Sequence, residues 1–409
     1  MDYYQRSLER IIEKMSSSFR VILLTGQRQV GKSTMLRQIS CNTKRGYITL
    51  DNLLLRKLAQ NDPELFLQQY TPPLIIDEIQ YAPQLFSFIK IYCDENPDHK
   101  GAFWLSGSQK YRLMEGVNES LAGRIGILDL FGFSFPEKMK NAFNGLPFLP
   151  SFTTDKNIKE NSKLNIKQVF QHIWEGSLPE VVVNKDINIE SYYSSYIKSY
   201  IERDVRDFYN IEKPIQFFDF LSLVATNTGQ LINYSSLARD VRIDVKTAQS
   251  WMGILEKSGL VFLLHPYFSN ISKRIVKSPK IFFLDTGLCS YLTRWTSAET
   301  LMNGAMAGKI LETYVISEIL KSYYHNGKEP NIWFYRDTEQ REIDLIIEEN
   351  GKLYPIEIKK TANPDSSDCS SFKYLEKFGK DIGLGAVICL QPERIPITRD
   401  IVSIPVWEI

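Results

Sequence analysis

The sequence predicts an α/β protein in which a parallel β-sheet covered by helices is followed by a helical region and a second α/β region. Three observations support this. Short apolar runs alternate with longer amphipathic stretches between Arg20 and Leu130. A glycine-rich loop, TGQRQVGKST, follows the first of these runs. Near the C-terminus an Asn-Gly pair separates two segments of alternating apolar residues, which indicates a hairpin.

The composition limits the classes of function. A chain of 409 residues is long enough for about three domains of ordinary size. Lys plus Arg total 49 against 48 for Asp plus Glu, so net charge gives no argument for binding nucleic acid or membrane. The five cysteines form no CxxC pair, which argues against a zinc site or a disulfide framework. The sequence has neither a signal-peptide pattern nor 18 consecutive apolar residues, so we expect a cytoplasmic protein that does not span a membrane.

The sequence predicts a set of strands, then a linker, then a winged-helix segment. The runs VILLT, YITL, PLIIDE, AFWLSGS and GILDLFGF predict five strands of the first sheet. The polar stretch between Glu137 and Lys167 predicts a linker. The segment YSSLARDVRIDVKTAQSWMGILEKSGLVFLL predicts two helices and a strand, the order of a winged helix, with Val245 on the apolar face of the second helix.

The glycine-rich loop predicts a phosphate-binding site. Its glycines let the backbone curl around an anion, and the helix after it directs free N–H groups and a favourable dipole towards phosphates. Lys32 is expected to reach the β and γ phosphates of ATP, and the Ser33 hydroxyl to bind Mg²⁺. The loop residues predicted to bind the nucleotide are Gly26, Gln27, Arg28, Gln29, Val30, Gly31, Lys32, Ser33 and Thr34.

The run PLIIDEIQ predicts the second half of this site. An apolar strand carries Asp77 and Glu78 at its carboxyl end, where parallel sheets bind ligands. Asp77 is expected to hold the Mg²⁺ ion, and Glu78 to polarise the attacking water. The alternative is a pair of solvated carboxylates that cap the next helix.

These residues resemble those of the AAA+ ATPases, a P-loop NTPase family. The resemblance implies a sensor residue in FWLSGSQ, for which Ser106, Ser108 and Gln109 are candidates and Ser108 is preferred. It also implies that Arg124, in LAGRIGILDL, enters the site of a neighbouring copy and stabilises charge on the γ phosphate. Hydrolysis would then require a homo-oligomer. The alternative for Arg124 is a local ion pair.

The hairpin EIDLIIEENGKLYPIEIKK predicts a second candidate site. With Asn350 and Gly351 as a type I′ turn, Asp344 lies opposite Glu357, and Lys359 shares their face. The other face is expected to be a core surface containing Ile343, Leu345, Ile347, Ile356 and Ile358. Two opposed carboxylates repel each other, so a second divalent cation bridging them is predicted. The alternative is a surface hairpin in which Lys359 neutralises both acids. Pro355 predicts an edge strand or a bulge.

The pattern of Asp344, Glu357 and Lys359 resembles the PD-(D/E)xK nuclease core, in which Glu312 would be the acidic residue of the first helix. Arg336 and Gln340 are expected to border that site. Taken whole, the chain resembles a prokaryotic family of AAA+ ATPases with a C-terminal domain of unassigned role. That resemblance includes SYIERDVRDF, although its Arg203 and Arg206 have no assigned role.

We therefore predict an AAA+-like ATPase core at 1–137, a linker at 138–166, a helical and winged-helix domain at 167–275 and a nuclease-like domain at 276–409. The first functional hypothesis is Mg²⁺-dependent ATP hydrolysis that rearranges the winged-helix and nuclease-like regions, with DNA as a candidate partner. The alternative is an ATP-controlled switch that docks a protein partner and carries an inactive nuclease-like scaffold. The candidate recognition helix offers few basic residues, so DNA contact and protein contact both stay open.

Overall fold

A computed structural model of the chain describes residues 3–41, 43–108, 110–153, 163–200, 211, 213–268 and 278–409. The chain divides into two compact units. Unit 1 comprises Met1–Gly145, Lys257–Gly259 and Tyr324–Lys328, and unit 2 comprises Leu146–Glu256, Leu260–Tyr323 and Glu329–Ile409. Among the described helices, none has both the length and the apolar character needed to cross a membrane.

Unit 1 alternates helices and strands, as the sequence predicts. Its main elements in chain order are α1 (Leu8–Ser16), β1 (Val21–Thr25), α2 (Lys32–Ser40), β2 (Gly46–Thr49), α3 (Leu53–Asn61), α4 (Pro63–Gln69), β3 (Leu74–Asp77), α5 (Leu85–Glu95), β4 (Phe103–Ser106), α6 (Lys110–Ser120), β5 (Ile125–Asp129) and α7 (Phe135–Lys138). A short 3₁₀ helix, Ile79–Tyr81, follows β3.

The described strands of unit 1 form one sheet in the order β2-β3-β4-β1-β5, and every pairing is parallel. The predicted parallel sheet of the first region is thus confirmed. Strand β1 is buried along its whole length because it lies inside the sheet, between β4 and β5. Parallel register aligns Leu24 of β1 with Ser106 and Leu128, so the carboxyl ends of β1, β4 and β5 share one edge.

A buried ion pair joins the N-terminal segment of unit 1 to the end of its sheet. Arg6 is 2% exposed, and its Nε lies 3.2 Å from Oε1 of the fully buried Glu137. Glu137 also accepts hydrogen bonds from the Ser7 and Ser134 amides, both at 2.9 Å, while Nδ1 of His325 lies 3.3 Å away. Burial alone would raise the pKa of Glu137, but Arg6 and His325 outweigh it and hold that pKa below its usual range.

Unit 2 begins with helices and ends with a mixed sheet. Its main described elements are α8 (Ile166–Glu175), α9 (Pro179–Val183), α10 (Ile189–Tyr200), α11 (Pro214–Thr226), α12 (Tyr234–Val241), α13 (Val245–Lys257), β6 (Val261–Leu264), β7 (Lys280–Phe283), α14 (Thr286–Leu292), α15 (Ala298–Asn303), α16 (Ala307–Tyr324), β8 (Ile332–Arg336), β9 (Glu342–Glu349), β10 (Lys352–Ile358), β11 (Asp381–Ile382), β12 (Gly385–Cys389), β13 (Ile395–Thr398) and β14 (Ile401–Pro405).

The segment predicted to be a winged helix contains α12, α13 and the strand β6, which pairs antiparallel with β7. On α13 the residues Ala248, Trp251, Met252 and Leu255 are buried as expected, but Val245 is 40% exposed because it lies at the first position of the helix. Lys246, Gln249 and Lys257 are exposed on the same helix. The winged-helix assignment itself stays a prediction. Arg203 and Arg206 lie outside the described residues.

The C-terminal sheet has the order β13-β14-β12-β10-β9-β8, with β11 also paired to β10. The predicted turn is confirmed, since Asn350 and Gly351 both have positive φ values of 51° and 79°. The predicted register is confirmed as well: Lys352 pairs with Glu349 and Ile356 with Leu345, which sets Glu357 opposite Asp344.

The edge strand predicted from Pro355 was wrong, and the alternative of a surface hairpin does not hold. Strand β10 is an interior strand, and Pro355 is tolerated because it lies between the pairing with β11, which ends at Leu353, and the pairing with β12, which begins at Ile356. The carboxylate face is also part of a core: Leu353, on the face of Glu357, is buried in one cluster with Phe372 and Leu375.

A second wrong expectation concerns Ile343. It lies in the same buried cluster as Ile346, although strict alternation puts the two on opposite faces. The cause is a register shift against β8, in which Ile346 pairs with Trp333 and Ile343 with Tyr335. Between these two pairings, two residues of β9 lie opposite one residue of β8, as in a β-bulge.

The ion pair of Arg6 and Glu137 generates a prediction about stability. We expect Glu137→Gln to lower the free energy of unfolding by about 3 kcal/mol near neutral pH, because it leaves the buried Arg6 uncompensated. A carboxyl with a lowered folded pKa stabilises above its unfolded pKa of about 4.3, and this contribution is lost as the pH falls. The gap between parent and variant should therefore narrow from about pH 5 to pH 3, as measured by urea unfolding.

Asp94→Asn is the matched control, because Asp94 forms an exposed ion pair with Arg124. It should leave the urea midpoint almost unchanged. An equal loss for both variants, or a gap that does not change with pH, would contradict the role given to Glu137.

Candidate functional site

The loop between β1 and α2 has the backbone of a phosphate cradle. Gly26 has a φ of 148°, and a Cβ atom there would lie 2.1 Å from the Leu130 carbonyl oxygen, so only glycine fits. Gly31 is the N-cap residue of α2 with a φ of 92°, and its carbonyl accepts the first helical hydrogen bond from the Met35 amide. The amides of the first turn of α2 therefore have no partner within the helix and are directed towards the loop.

Lys32 lies over this loop. It is 5% exposed, and its Nζ donates hydrogen bonds of 2.8 Å to the carbonyl oxygens of Gly26 and Gln27. The other loop positions differ in burial: Gln27 and Val30 are buried, Arg28 and Ser33 are half-buried, and Gln29 and Thr34 are exposed. The ammonium group is thus fixed where an anion in the cradle would meet it.

Asp77 ends β3, two strands away from β1 in the sheet. It is 3% exposed, its Oδ1 accepts a hydrogen bond from Ser106 Oγ, and its Oδ2 accepts one of 2.7 Å from the Tyr47 hydroxyl. Both bonds orient the carboxylate, whose oxygen atoms are of the kind that Mg²⁺ prefers as ligands.

Glu78 follows in a left-handed backbone conformation, with a φ of 57°. Burial raises the pKa of its carboxyl group, and Asp77 adds to the rise while Lys32 opposes it. Its Oε2 accepts a hydrogen bond from Gln80 Nε2. A carboxylate of increased basicity at the edge of the sheet suits a general base.

The three sensor candidates differ in position. Ser106 bonds Asp77 directly, whereas the half-buried Ser108 has an Oγ atom without a hydrogen-bond partner among the described residues. Gln109 lies outside the described residues. Ser108 is therefore the candidate whose hydroxyl remains available to a ligand.

Arg124 lies away from the loop of its own unit. Its carbonyl accepts a hydrogen bond from the Val21 amide, at the amino end of β1, whereas the loop begins at the carboxyl end about 16 Å away. Its guanidinium donates to Asp94 at 2.6 and 3.1 Å. The structure thus shows the local ion pair that the sequence offered as the alternative.

Sequence reasoning missed three residues near the loop. Arg6 donates a 2.9 Å hydrogen bond to the Val30 carbonyl, and Thr25 Oγ1 donates to Asp129 Oδ1 at the end of β5. Asp129 could have been found, since it ends an apolar strand as Asp77 does. Arg6 could not, because no periodicity relates it to a loop 24 residues further along the chain.

The hairpin of unit 2 brings Glu357 and Lys359 together, as predicted. Glu357 is 4% exposed; its Oε2 accepts a 2.8 Å bond from Lys359 Nζ, and its Oε1 accepts one of 2.9 Å from Ser371 Oγ. Asp344 Oδ2 accepts the Ile358 amide at 2.9 Å. Burial and the nearby Asp344 raise the pKa of Glu357 to about 8, against the opposing effect of Lys359.

A second ammonium group, which the sequence did not predict, joins this cluster. Lys280 of β7 is 3% exposed and contacts Glu312 Oε1 at 3.0 Å and Glu342 Oε1 at 2.5 Å. Burial alone would lower the pKa of Lys280, but Glu312, Asp344 and Glu342 outweigh it and raise that pKa. Glu312 itself has its pKa raised to about 7, mainly by burial.

The acidic cluster is therefore compensated by lysines. Within the part of the chain that the structure describes, no group of three or more His, Cys, Asp or Glu side chains is arranged to hold a metal ion. Arg336 and Gln340 do lie beside the cluster: Arg336 Nε donates to Gln340 Oε1 at 3.0 Å, and Arg336 lies 3.4 Å from Glu342.

Three family models each match a part of the chain. Residues 18–139 match the AAA domain. Residues 166–299 and 307–409 match two families described as domains of unknown function (DUF8612 and DUF4143). The first match supports a P-loop ATPase of the AAA class, with ATP binding and hydrolysis, and the other two assign no activity.

Two relatives that match most of this chain are described as uncharacterized proteins. One from Mycobacterium tuberculosis is 27% identical over 398 residues, covering 95% of this chain and 80% of the relative. One from Methanocaldococcus jannaschii is 25% identical over 342 residues, covering 77% and 70%. Among solved structures, a Walker-type ATPase of Pyrococcus abyssi is 17% identical with a TM-score of 0.46, covering 71% of this chain and 96% of that one.

The position of Lys280 generates a prediction about stability and pH. We expect Lys280→Met to lower the free energy of unfolding by about 3–5 kcal/mol at about pH 8, because it leaves three carboxylates without their ammonium partner. A carboxyl with a raised folded pKa loses stability as the pH rises from its unfolded pKa to its folded pKa. In the parent the loss that Glu312 causes ends near its pKa of about 7, and in the variant, where Lys280 no longer opposes the rise of that pKa, the loss continues to higher pH.

Urea unfolding from about pH 6 to pH 9 measures this difference. Lys163→Met is the control, because Lys163 pairs with Glu393 on the surface and its loss should have little effect. A penalty for Lys280→Met that stays constant above pH 7 would contradict the explanation.

Proposed function

We propose that unit 1 is a Mg²⁺-dependent ATPase. The observation that supports it best is the combination, at one edge of a parallel sheet, of a glycine cradle holding Lys32 with the carboxylates Asp77 and Glu78. The AAA match to residues 18–139 agrees with this proposal.

The residues present fit a nucleoside triphosphate and its metal ion. The cradle closed by Gly26, the amides of α2 and the Lys32 ammonium are complementary to the charge of the β and γ phosphates. Ser33 and Asp77 would hold Mg²⁺, in keeping with that ion's preference for oxygen ligands. Bound Mg²⁺ would neutralise charge that develops on the phosphates.

Glu78 is the proposed general base. It accepts a proton from water as the water oxygen bonds to the γ phosphorus and the bond from that phosphorus to the β–γ bridging oxygen breaks, giving ADP and phosphate. Its raised pKa favours proton acceptance near neutral pH. Ser108 is the proposed sensor of the γ phosphate. A role for Arg124 in a neighbouring copy would require it to leave Asp94.

Two substitutions separate binding from chemistry. Lys32→Ala should abolish ATP binding, because it removes the cation of the cradle, while Glu78→Gln should bind ATP normally and hydrolyse it about a hundredfold or more slowly. Binding is measured with a fluorescent ATP analogue and turnover by phosphate release. Hydrolysis by Glu78→Gln at the parent rate would refute the assignment of the base.

For unit 2 we infer that the nuclease-like cluster is a scaffold that does not cleave DNA. ATP binding would then act as a switch that controls docking to a protein partner. The contacts of Lys280 and Lys359 favour this alternative over metal-dependent cleavage, because the ammonium groups already compensate the acids that a metal would need. The hypothesis of a rearranged DNA-cleaving region has no comparable supporting contact.

The scaffold proposal predicts that no cleavage depends on Asp344. Linear and circular DNA incubated with the parent, ATP and Mg²⁺ or Mn²⁺ should remain intact, as it should with Asp344→Ala. Cleavage by the parent that Asp344→Ala abolishes would overturn the scaffold and restore the nuclease hypothesis. Equal cleavage by both proteins would indicate a contaminating nuclease, and purification should then remove it.

A further inference from the structure

Gln80 is a buried polar residue beside Glu78 that the proposed chemistry does not yet use. It belongs to the 3₁₀ helix after β3 and is 6% exposed. Its Nε2 donates a hydrogen bond to Glu78 Oε2. Because an ionised carboxylate only accepts hydrogen bonds, the amide nitrogen must face Glu78, and the amide oxygen must point elsewhere.

That amide oxygen lies beside the loop after β4. A Cβ atom built on Gly107 would be 2.1 Å from Gln80 Oε1, so the glycine leaves the room that the side chain occupies. The Gly107 amide in turn donates to the Leu24 carbonyl at the end of β1. Gln80 therefore connects the base of the proposed reaction with the strand end that carries the candidate sensor, Ser108.

Only the nitrogen atom of the Gln80 side-chain amide has a hydrogen-bond partner among the described residues. Within the described residues Gln80 Oε1 is buried and has no hydrogen-bond partner, as is also true of Ser108 Oγ. A glutamine present for core structure alone would be expected to pair both ends of its amide, since an unsatisfied buried oxygen is destabilising. Buried polar atoms that lack a hydrogen-bond partner are typical of functional sites.

We propose that Gln80 is a positioning residue for ATP hydrolysis, which holds the Glu78 carboxylate in the orientation needed to accept a proton from water. The proposal rests on the ATPase function proposed above. Gln80 acts through Glu78, and within the described residues its buried amide oxygen has no hydrogen-bond partner. Gly107 is required because any larger residue would displace the amide.

Gln80→Met tests this role, because methionine has a similar length but no amide. The turnover number should fall about tenfold to a hundredfold, while the dissociation constant for ATP changes less than about twofold. Gly107→Ala, which displaces the amide by another route, should cause the same kind of loss. Gln84→Met is the control, since Gln84 is exposed four residues further along and should retain parent turnover.

Two further outcomes decide between positioning and structural roles. In a Glu78→Gln background, Gln80→Met should cause no additional loss of turnover, because a residue that acts through Glu78 has nothing left to orient. Parent-like turnover in Gln80→Met, or losses of binding and turnover together, would overturn the proposal. Absence of hydrolysis by the parent would instead refute the ATPase function, which keeps the two failures distinct.

Discussion

Parallel pairing of β1 with β4 and β5 is the constraint on which the nucleotide site depends. It aligns the carboxyl ends of strands that are distant in sequence, so that the loop after β1 meets residues from the ends of β3 and β4. Strand β1 is buried along its whole length, and the first turn of α2 directs its amides to the same edge. The chemistry proposed for Lys32, Asp77 and Glu78 depends on their meeting at that edge of the sheet, and no single sequence motif accounts for it.

The buried Arg6 also helps to hold the loop after β1 in place. Its guanidinium bonds the Val30 carbonyl of the loop and the Phe131 and Gly132 carbonyls beyond β5, while Glu137 compensates its charge. One cation thus binds three carbonyl groups on two backbone segments that lie outside the described strands. A carbonyl that accepts a bond from a buried guanidinium has little freedom to move, which helps to keep the loop preorganised.

Sequence reasoning predicted whatever depended on local pattern. The strands, the glycine loop, the acids ending β3 and the turn at Asn350 and Gly351 all follow from short-range periodicity or turn chemistry. It did not predict Lys280 among Glu312 and Glu342, because a tertiary contact over 32 to 62 residues leaves no trace in spacing. The bulge that moves Ile343 was also missed, since strict alternation assumes an undistorted strand. The sequence likewise gave no sign that a buried lysine from another strand lies among the acids of this cluster.

Pro355 has a consequence for how the C-terminal sheet can open. Strand β10 is bonded to β9 on one side, but on its other side the partners change from β11 to β12 across a residue that has no amide proton. The two partners are therefore not joined into one continuous ladder at that point. Pro355 donates no hydrogen bond between these two pairings. If the pairing of β10 with β11 opens, the opening does not extend along that side to the half of β10 that pairs with β12 and carries Glu357.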